Sequence, residues 1–105
     1  MEYDIEKLTE LARVSLRITW VMSDDEYDQL ELICQDCINS INSYVGGEQD
    51  FESPGLARNL FLNAVRYMYN DSYEYFVNNF MLDLNTLRMK SATERLKDNG
   101  NIQHQ

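Results

Sequence analysis

The sequence predicts an all-α fold: a small bundle of four to five helices, with one long central helix and a short extended segment after the first helix. Three observations carry this. Tyr27, Leu30, Cys34, Cys37, Ile41 and Tyr44 follow a 3-4-3-4-3 spacing, which is one face of a helix. That seam is bounded by a capping signature, Ser23 with Glu26 three residues on, and by Gly46-Gly47, a pair suited to a left-handed helix stop. The single proline and four glycines leave the remaining periodic stretches uninterrupted.

Asp4 is placed to cap a first helix through Ile5, Leu8, Leu11 and Ala12. From Arg13 the rhythm changes to a period of two. Val14, Leu16, Ile18 and Trp20 alternate with Arg13, Ser15, Arg17 and Thr19, the pattern of a strand or extended connector with one apolar face. A helix running through this stretch is the other reading. The second helix spans Asp24 to Val45, about six turns or roughly 33 Å. Met22 and Tyr27 hold its staple positions, and Ile33, Ile38 and Val45 widen its seam.

Residues 46–53 read as a polar loop. Ser53-Pro54 then reads as a cap plus first-turn proline, opening a third helix through Leu56, Leu60, Phe61, Ala64, Val65 and Met68. Asn70-Asp71-Ser72 interrupts it, with Ser72 in place to cap a short helical turn. A last helix carries Phe80, Leu84 and Leu87, with an extension toward Leu96. The expected organisation is one domain over residues 1–98 and a flexible tail over 99–105. A chain of 105 residues buries about 65 % of its unfolded surface, enough for one modest core without a deep cavity and lids.

Eighteen acids oppose nine bases, a net charge of −9. Such a surface repels phosphate backbones, so duplex DNA is not an expected tight ligand. The imbalance is uneven: residues 1–31 hold nine acids and three bases, whereas Arg88, Lys90, Arg95 and Lys97 cluster near the end. No run approaches the ~20 apolar residues of a membrane span. The first ten residues lack the basic start and apolar centre of a signal peptide, which points to a reducing cytoplasm during synthesis.

Residues 23–28, SDDEYD, contain a D-D-x-x-D spacing that holds magnesium and diphosphate in some enzymes. That chemistry needs a second aspartate cluster and bases for the phosphates. No second cluster exists, while helix capping accounts for Ser23, Asp24, Asp25 and Glu26 position by position. Cys34 and Cys37 match C-x-x-C but lie about three turns inside a helix on its apolar seam, so they read as core thiols. A zinc site would need two more ligands. The aromatic run Tyr67, Tyr69, Tyr73, Tyr75 and Phe76 lacks the basic groove of a base-stacking platform, which leaves helix packing or a protein interface. Leu32 faces away from its helix seam, and with Leu16, Ile18 and Trp20 suggests contact with another chain. No nucleophile–base pair or glycine-rich phosphate loop gives positive evidence for catalysis, and no cofactor or metal is expected.

The order of elements resembles the tailed-phage head–tail connector family, the small helical adaptor or DNA-packaging proteins that follow the portal. Four pieces from Asp4 to Arg88 carry the resemblance. A first helix leads into Leu16-Arg17-Ile18. The acidic cap SDDEYDQLELI opens a long helix that ends near INSYVGG. A proline-led helix, PGLARNLFLNAVRYMYND, closes with tyrosines, and LNTLRM follows at Leu84 to Met89. These are packing patterns, and none is a catalytic fingerprint. Members often carry an Asn-Arg-Glu-like turn after the third helix, where this chain has Asn70-Asp71-Ser72.

The resemblance implies a structural subunit, not an enzyme. About a dozen copies would form a ring beneath the portal protein, extend the DNA channel and receive the next tail-completion protein. DNA would be only the passing content of the channel, with no membrane involved, and the site of action would be the virion head–tail junction. A ring needs two unlike complementary patches on each subunit. Asp24, Asp28 and Glu31 form one candidate patch, and Arg88, Lys90, Arg95 and Lys97 the other, with Tyr73 and Tyr75 as possible anchors. The competing expectation is a small acidic helical adaptor or regulator that grips one partner.

Overall fold

In the computed structural model, which describes residues 2–103 with side chains as far as Lys97, the chain is all-α. Five helices follow in order: α1 (Ile5–Ser15), α2 (Asp24–Val45), α3 (Leu56–Tyr69), α4 (Glu74–Asn79) and α5 (Met81–Gln103). The long helix α2 is central and packs against α1, α3 and α5. Its seam residues Leu30, Cys34, Cys37 and Ile41 are buried against Leu8 and Ala12 of α1, Leu60, Phe61, Ala64 and Val65 of α3, and Leu84 and Leu87 of α5. The molecule measures 55 × 28 × 19 Å with a radius of gyration of 15.4 Å. A compact chain of this length has roughly 13 Å; the excess reflects an elongated body.

The opening of α2 forms as its sequence dictates. The Ser23 hydroxyl accepts from the Glu26 N–H at 3.2 Å, and the Glu26 carboxylate accepts from the Ser23 N–H at 3.0 Å. That backbone bond holds the Glu26 carboxyl below its ordinary range. The far end of α2 stops at Gly46, at φ +83°, whose N–H reaches the Asn42 carbonyl while Gly47 shares the same acceptor.

The alternating stretch after α1 is not a strand. Arg13, Val14 and Ser15 continue the helix, and Arg17 turns the chain at φ +61°. The Arg17 N–H bonds the Val14 carbonyl and the Ile18 N–H bonds the Arg13 carbonyl, a Schellman stop that normally recruits glycine. Arg13 fastens this turn from outside, donating to the Ile18 carbonyl at 2.9 Å and pairing with Glu10. After the turn at Leu16 and Arg17, residues 18–23 have no regular structure, with a bend at Trp20. Period two misread a helix end because the stop throws Ile18 inward.

Three further boundaries differ from expectation. Helix α3 begins at Leu56 after Gly55, not at Pro54, because the Asp50 carboxylate takes the N–H groups of Glu52 and Ser53 into an earlier turn. Ser72 does not cap α4; its hydroxyl donates to the Tyr67 carbonyl. Helix α5 begins at Met81, after Phe80, and reaches Gln103, past Leu96; His104 and Gln105, the end of the expected tail, lie outside the described residues.

The loop after α2 is polar by composition yet deeply anchored. Phe51 is fully buried, with ring centroids 5.7 Å from Tyr3 and 5.5 Å from Phe61. Tyr3 supplies the polar half of this anchor. Its hydroxyl donates to the Gln49 carbonyl at 2.8 Å and accepts from Asn42 Nδ2 at 2.9 Å. The Gln49 N–H is shared between that hydroxyl and Asn42 Oδ1. Tyr3→Phe removes the hub and leaves half-buried amide groups short of a partner. The expected loss is about 1–3 kcal/mol of unfolding free energy, read by urea titration; an unchanged midpoint would mean that water replaces the hydroxyl without cost.

Candidate subunit interface

Helix α2 turns two unlike faces outward and inward. Leu32 lies about 200° round the helix from Leu30, opposite the buried seam, and is 60 % exposed. Asp28 and Asp36 stand one turn to either side of it, Asp25 two turns before, and all three are exposed. Asp24 is exposed as well, and Glu31 is half-buried toward α1. There Glu31 joins Glu10 and Glu6 in raising the pKa of the Tyr27 phenol, although desolvation is the larger cause. Among the described residues no three His, Cys, Asp or Glu side chains are grouped to hold a metal ion. The acids of SDDEYD point along a helix surface rather than toward a common centre.

Cys34 and Cys37 are both free and buried. Desolvation raises Cys34 to about 11, against a weaker lowering hydrogen bond with Thr9. It raises Cys37 further, helped by the neighbouring Cys34 and Asp36. Both thiols are therefore neutral and unreactive in the folded chain at pH 7. Their folded pKa values stand above the unfolded value of about 8.5. The stability they contribute is full below that pH and is lost as pH climbs toward the folded values. Wild type should lose Tm steeply between pH 9 and 11, and the Cys34→Ala/Cys37→Ala variant less so, the remaining slope belonging to Tyr27 and Tyr73. A thiol reagent at pH 8 should find neither cysteine until denaturant is added; rapid native reaction would refute this.

The connector supplies apolar surface, though through different residues than the alternation suggests. Ile18 is 3 % exposed and belongs to the core, and Leu16 is half-buried against it. Ile18 is therefore not free to meet another chain, while Leu16 keeps part of its surface in a shallow cleft with Arg17, Arg66 and Asn70. The Schellman stop explains the burial of Ile18, because its second residue beyond the cap packs back on the helix. Trp20 remains 53 % exposed, and is joined by Val14 and Val21.

Part of the aromatic run packs where the helices meet, and part of it stays exposed. Phe76 is buried, stacked between Tyr73 at 5.5 Å and Phe80 at 5.2 Å, with Tyr67 edge-on. Tyr73 is half-buried, and desolvation raises its pKa against a lowering hydrogen bond with Ser40. Tyr75 is exposed. A cleft of about 400 Å³ between α2, α4 and α5 is lined by Ile41, Tyr44, Tyr73, Phe76 and Val77 among others.

Helix α5 carries the basic cluster and splits it. Arg95 donates through Nη1 to the Gly46 carbonyl at the C-terminal end of α2, where the helix dipole favours a cation. The Arg88 guanidinium lies 6.0 Å from the Tyr44 ring centroid. Lys90 and Lys97 are exposed. Three large apolar side chains that sequence reasoning passed over line the same helix: Leu82 is 82 % exposed, and Met89 and Leu96 are each 70 % exposed. Their spacing of seven is the signal in the sequence, masked by the core-facing pattern of Phe80, Leu84 and Leu87.

No helix among the described residues is long and apolar enough to cross a membrane. Comparison of the chain with protein-family models, curated proteins and solved structures finds no match. The site is therefore read from its own chemistry: an acidic outward face on α2 bearing exposed Leu32, and an outward face on α5 bearing exposed Leu82, Met89 and Leu96, where Lys90 and Lys97 stand beside Asp83 and Glu94.

Proposed function

We propose that this chain is a structural head–tail connector subunit of a tailed phage or prophage. About a dozen copies assemble as a ring below the portal, extend the DNA channel and join the tail. The observation that carries the reading is the unlike pair of outer faces, acidic on α2 and bearing Lys90 and Lys97 with the apolar stripe on α5, since a closed ring is built from heterologous contacts. The charge of −9 supports it, because a conduit that gripped phosphates would brake DNA during packaging and ejection. The subunit acts without catalysis or cofactor, and its place is the virion head–tail junction.

A second reading, a small acidic adaptor that holds one partner, is favoured by the cleft between α2, α4 and α5. Co-expression with the portal protein of the same genome, followed by affinity purification and imaging, separates the two. A ring of this chain on the portal supports the connector. A one-to-one complex with some other protein, and no association with the portal, overturns it.

A further inference from the structure

We infer that the cleft between the ends of α1 and α3 is a binding site for one small phosphate dianion, held between the guanidinium groups of Arg17 and Arg66.

The cleft, about 340 Å³, is lined by Ser15, Leu16 and Arg17 from the end of α1 and by Arg66 and Asn70 from the end of α3. Among the described residues no carboxylate lines it, although the chain has eighteen acids. Residues 11–22 and 53–70, the two segments that supply it, contain no Asp or Glu. The acids closest in sequence are engaged or placed elsewhere. Glu10 is held by Arg13, and Asp71 lines a separate cleft with Met22, Glu26 and Gln29.

Arginines beside helix C-termini ordinarily cap free carbonyls and complement the dipole. Other donors already do both. At α1 the carbonyls of Ala12, Arg13 and Val14 take the N–H groups of Leu16, Ile18 and Arg17, and the last turn already carries Arg13. At α3 the carbonyls of Arg66, Tyr67 and Met68 take the N–H groups of Asn70, Ser72 and Asp71. The Asn70 amide and the Ser72 hydroxyl add a second donor to the first two. Among the described residues neither the Arg17 nor the Arg66 side chain has a hydrogen-bond or ion-pair partner. Arg17 also holds φ +61°, a left-handed conformation unfavourable to any residue with a Cβ and open to glycine. The fold therefore keeps a strained arginine whose charge meets a second one in the same cleft, with no acid set between them.

The donors select the ligand. Two planar forks of N–H groups match the oxygens of a carboxylate or a phosphate. One carboxylate would balance a single guanidinium and leave the other unmatched. A free phosphate or a phosphate monoester carries about two negative charges at pH 7 and at least three acceptor oxygens, enough for both forks and the Ser15 hydroxyl. A nucleic-acid strand spreads single charges along its length, and the rest of this surface, at net −9, repels it. The inference does not depend on the connector reading.

The test is an amide NMR titration of the full chain with inorganic phosphate and with methyl phosphate at constant ionic strength. Shifts should saturate around residues 15–18 and 66–72, with a dissociation constant on the order of 1 mM or below. Methyl phosphate should bind more tightly as pH rises through about 6, where a monoester loses its second proton. Arg17→Gly, which suits the left-handed turn, and Arg66→Gln should each weaken binding about tenfold or more, the loss of a charge-assisted hydrogen bond. Both variants should unfold at or above the wild-type temperature, since neither guanidinium holds another group of the subunit. Equal affinity for the two probes assigns the site to free phosphate. Tighter methyl phosphate assigns it to an ester whose carbon end meets Leu16. The inference is overturned by shifts that never saturate, by acetate binding as well as phosphate, or by both variants binding as wild type does. Duplex DNA displacing phosphate at physiological salt overturns it too.

Discussion

Phe51→Ala lowers the free energy of unfolding by about 3–5 kcal/mol, the cost of deleting a fully buried aromatic ring and leaving its cavity. A domain of this size has a total stability on the order of 5–15 kcal/mol, so this one substitution removes a large share of it. The ring is fully buried and lies between Tyr3, next to α1, and Phe61 on α3, so it closes the loop over the end of the bundle. The cavity cannot collapse easily, because the Tyr3–Asn42–Gln49 hydrogen bonds hold the loop backbone in place. Urea titration should show a lower midpoint with an unchanged slope, and Phe51→Leu should lose much less. A loss below about 1 kcal/mol would mean that the loop is not docked in solution.

Phe51 also marks where sequence reading ran out. Its neighbours Gly46, Gly47, Glu48, Gln49, Asp50, Glu52 and Ser53 give no periodicity, so one buried ring among them has no pattern to announce it. Local signals survived well. The Ser23–Glu26 box and the Gly46 stop each depend on atoms within five residues, and both form as their residue types require. The α2 seam was legible because 22 residues sample the helical period many times. The Arg13–Trp20 alternation failed because eight residues cannot separate a helix end plus an inward turn from a strand. Nothing in the residue type of Arg17 announces a left-handed stop, which glycine usually marks.

The candidate faces were half legible for the same reason. Asp24 and Asp28 are exposed, as a correctly placed helix makes them, whereas Glu31 turns half-buried toward α1 and the acids beside Leu32 also include Asp25 and Asp36. The α5 stripe is not legible in the sequence alone, because an outward stripe is informative only once the inward one is known. Arg95 shows the reverse problem. Its charge was legible, but its partner, a carbonyl 49 residues away, is set by packing alone.

Reversing Asp28 and Glu31 to lysine should raise the concentration needed for assembly at least tenfold at low ionic strength, measured by light scattering on the full chain with its portal. Each exposed ion pair contributes only about 0.2–1 kcal/mol. Reversal, however, replaces attraction by repulsion at every contact of a ring, and a factor of ten needs only about 1.4 kcal/mol per contact. Raising salt should shrink the difference, because the exposed charges of Asp28, Lys90 and Lys97 are screened beyond about 10 Å at 0.1 M. The rescuing change should be Lys90→Glu with Lys97→Glu. Arg95→Glu is the wrong partner for rescue: it would place a carboxylate against the Gly46 carbonyl at the negative end of α2 and weaken the subunit itself. Assembly that ignores the Asp28/Glu31 reversal would remove the electrostatic pairing. Assembly lost with both pairs reversed, while each subunit still unfolds at its usual temperature, would show that those residues meet something other than each other.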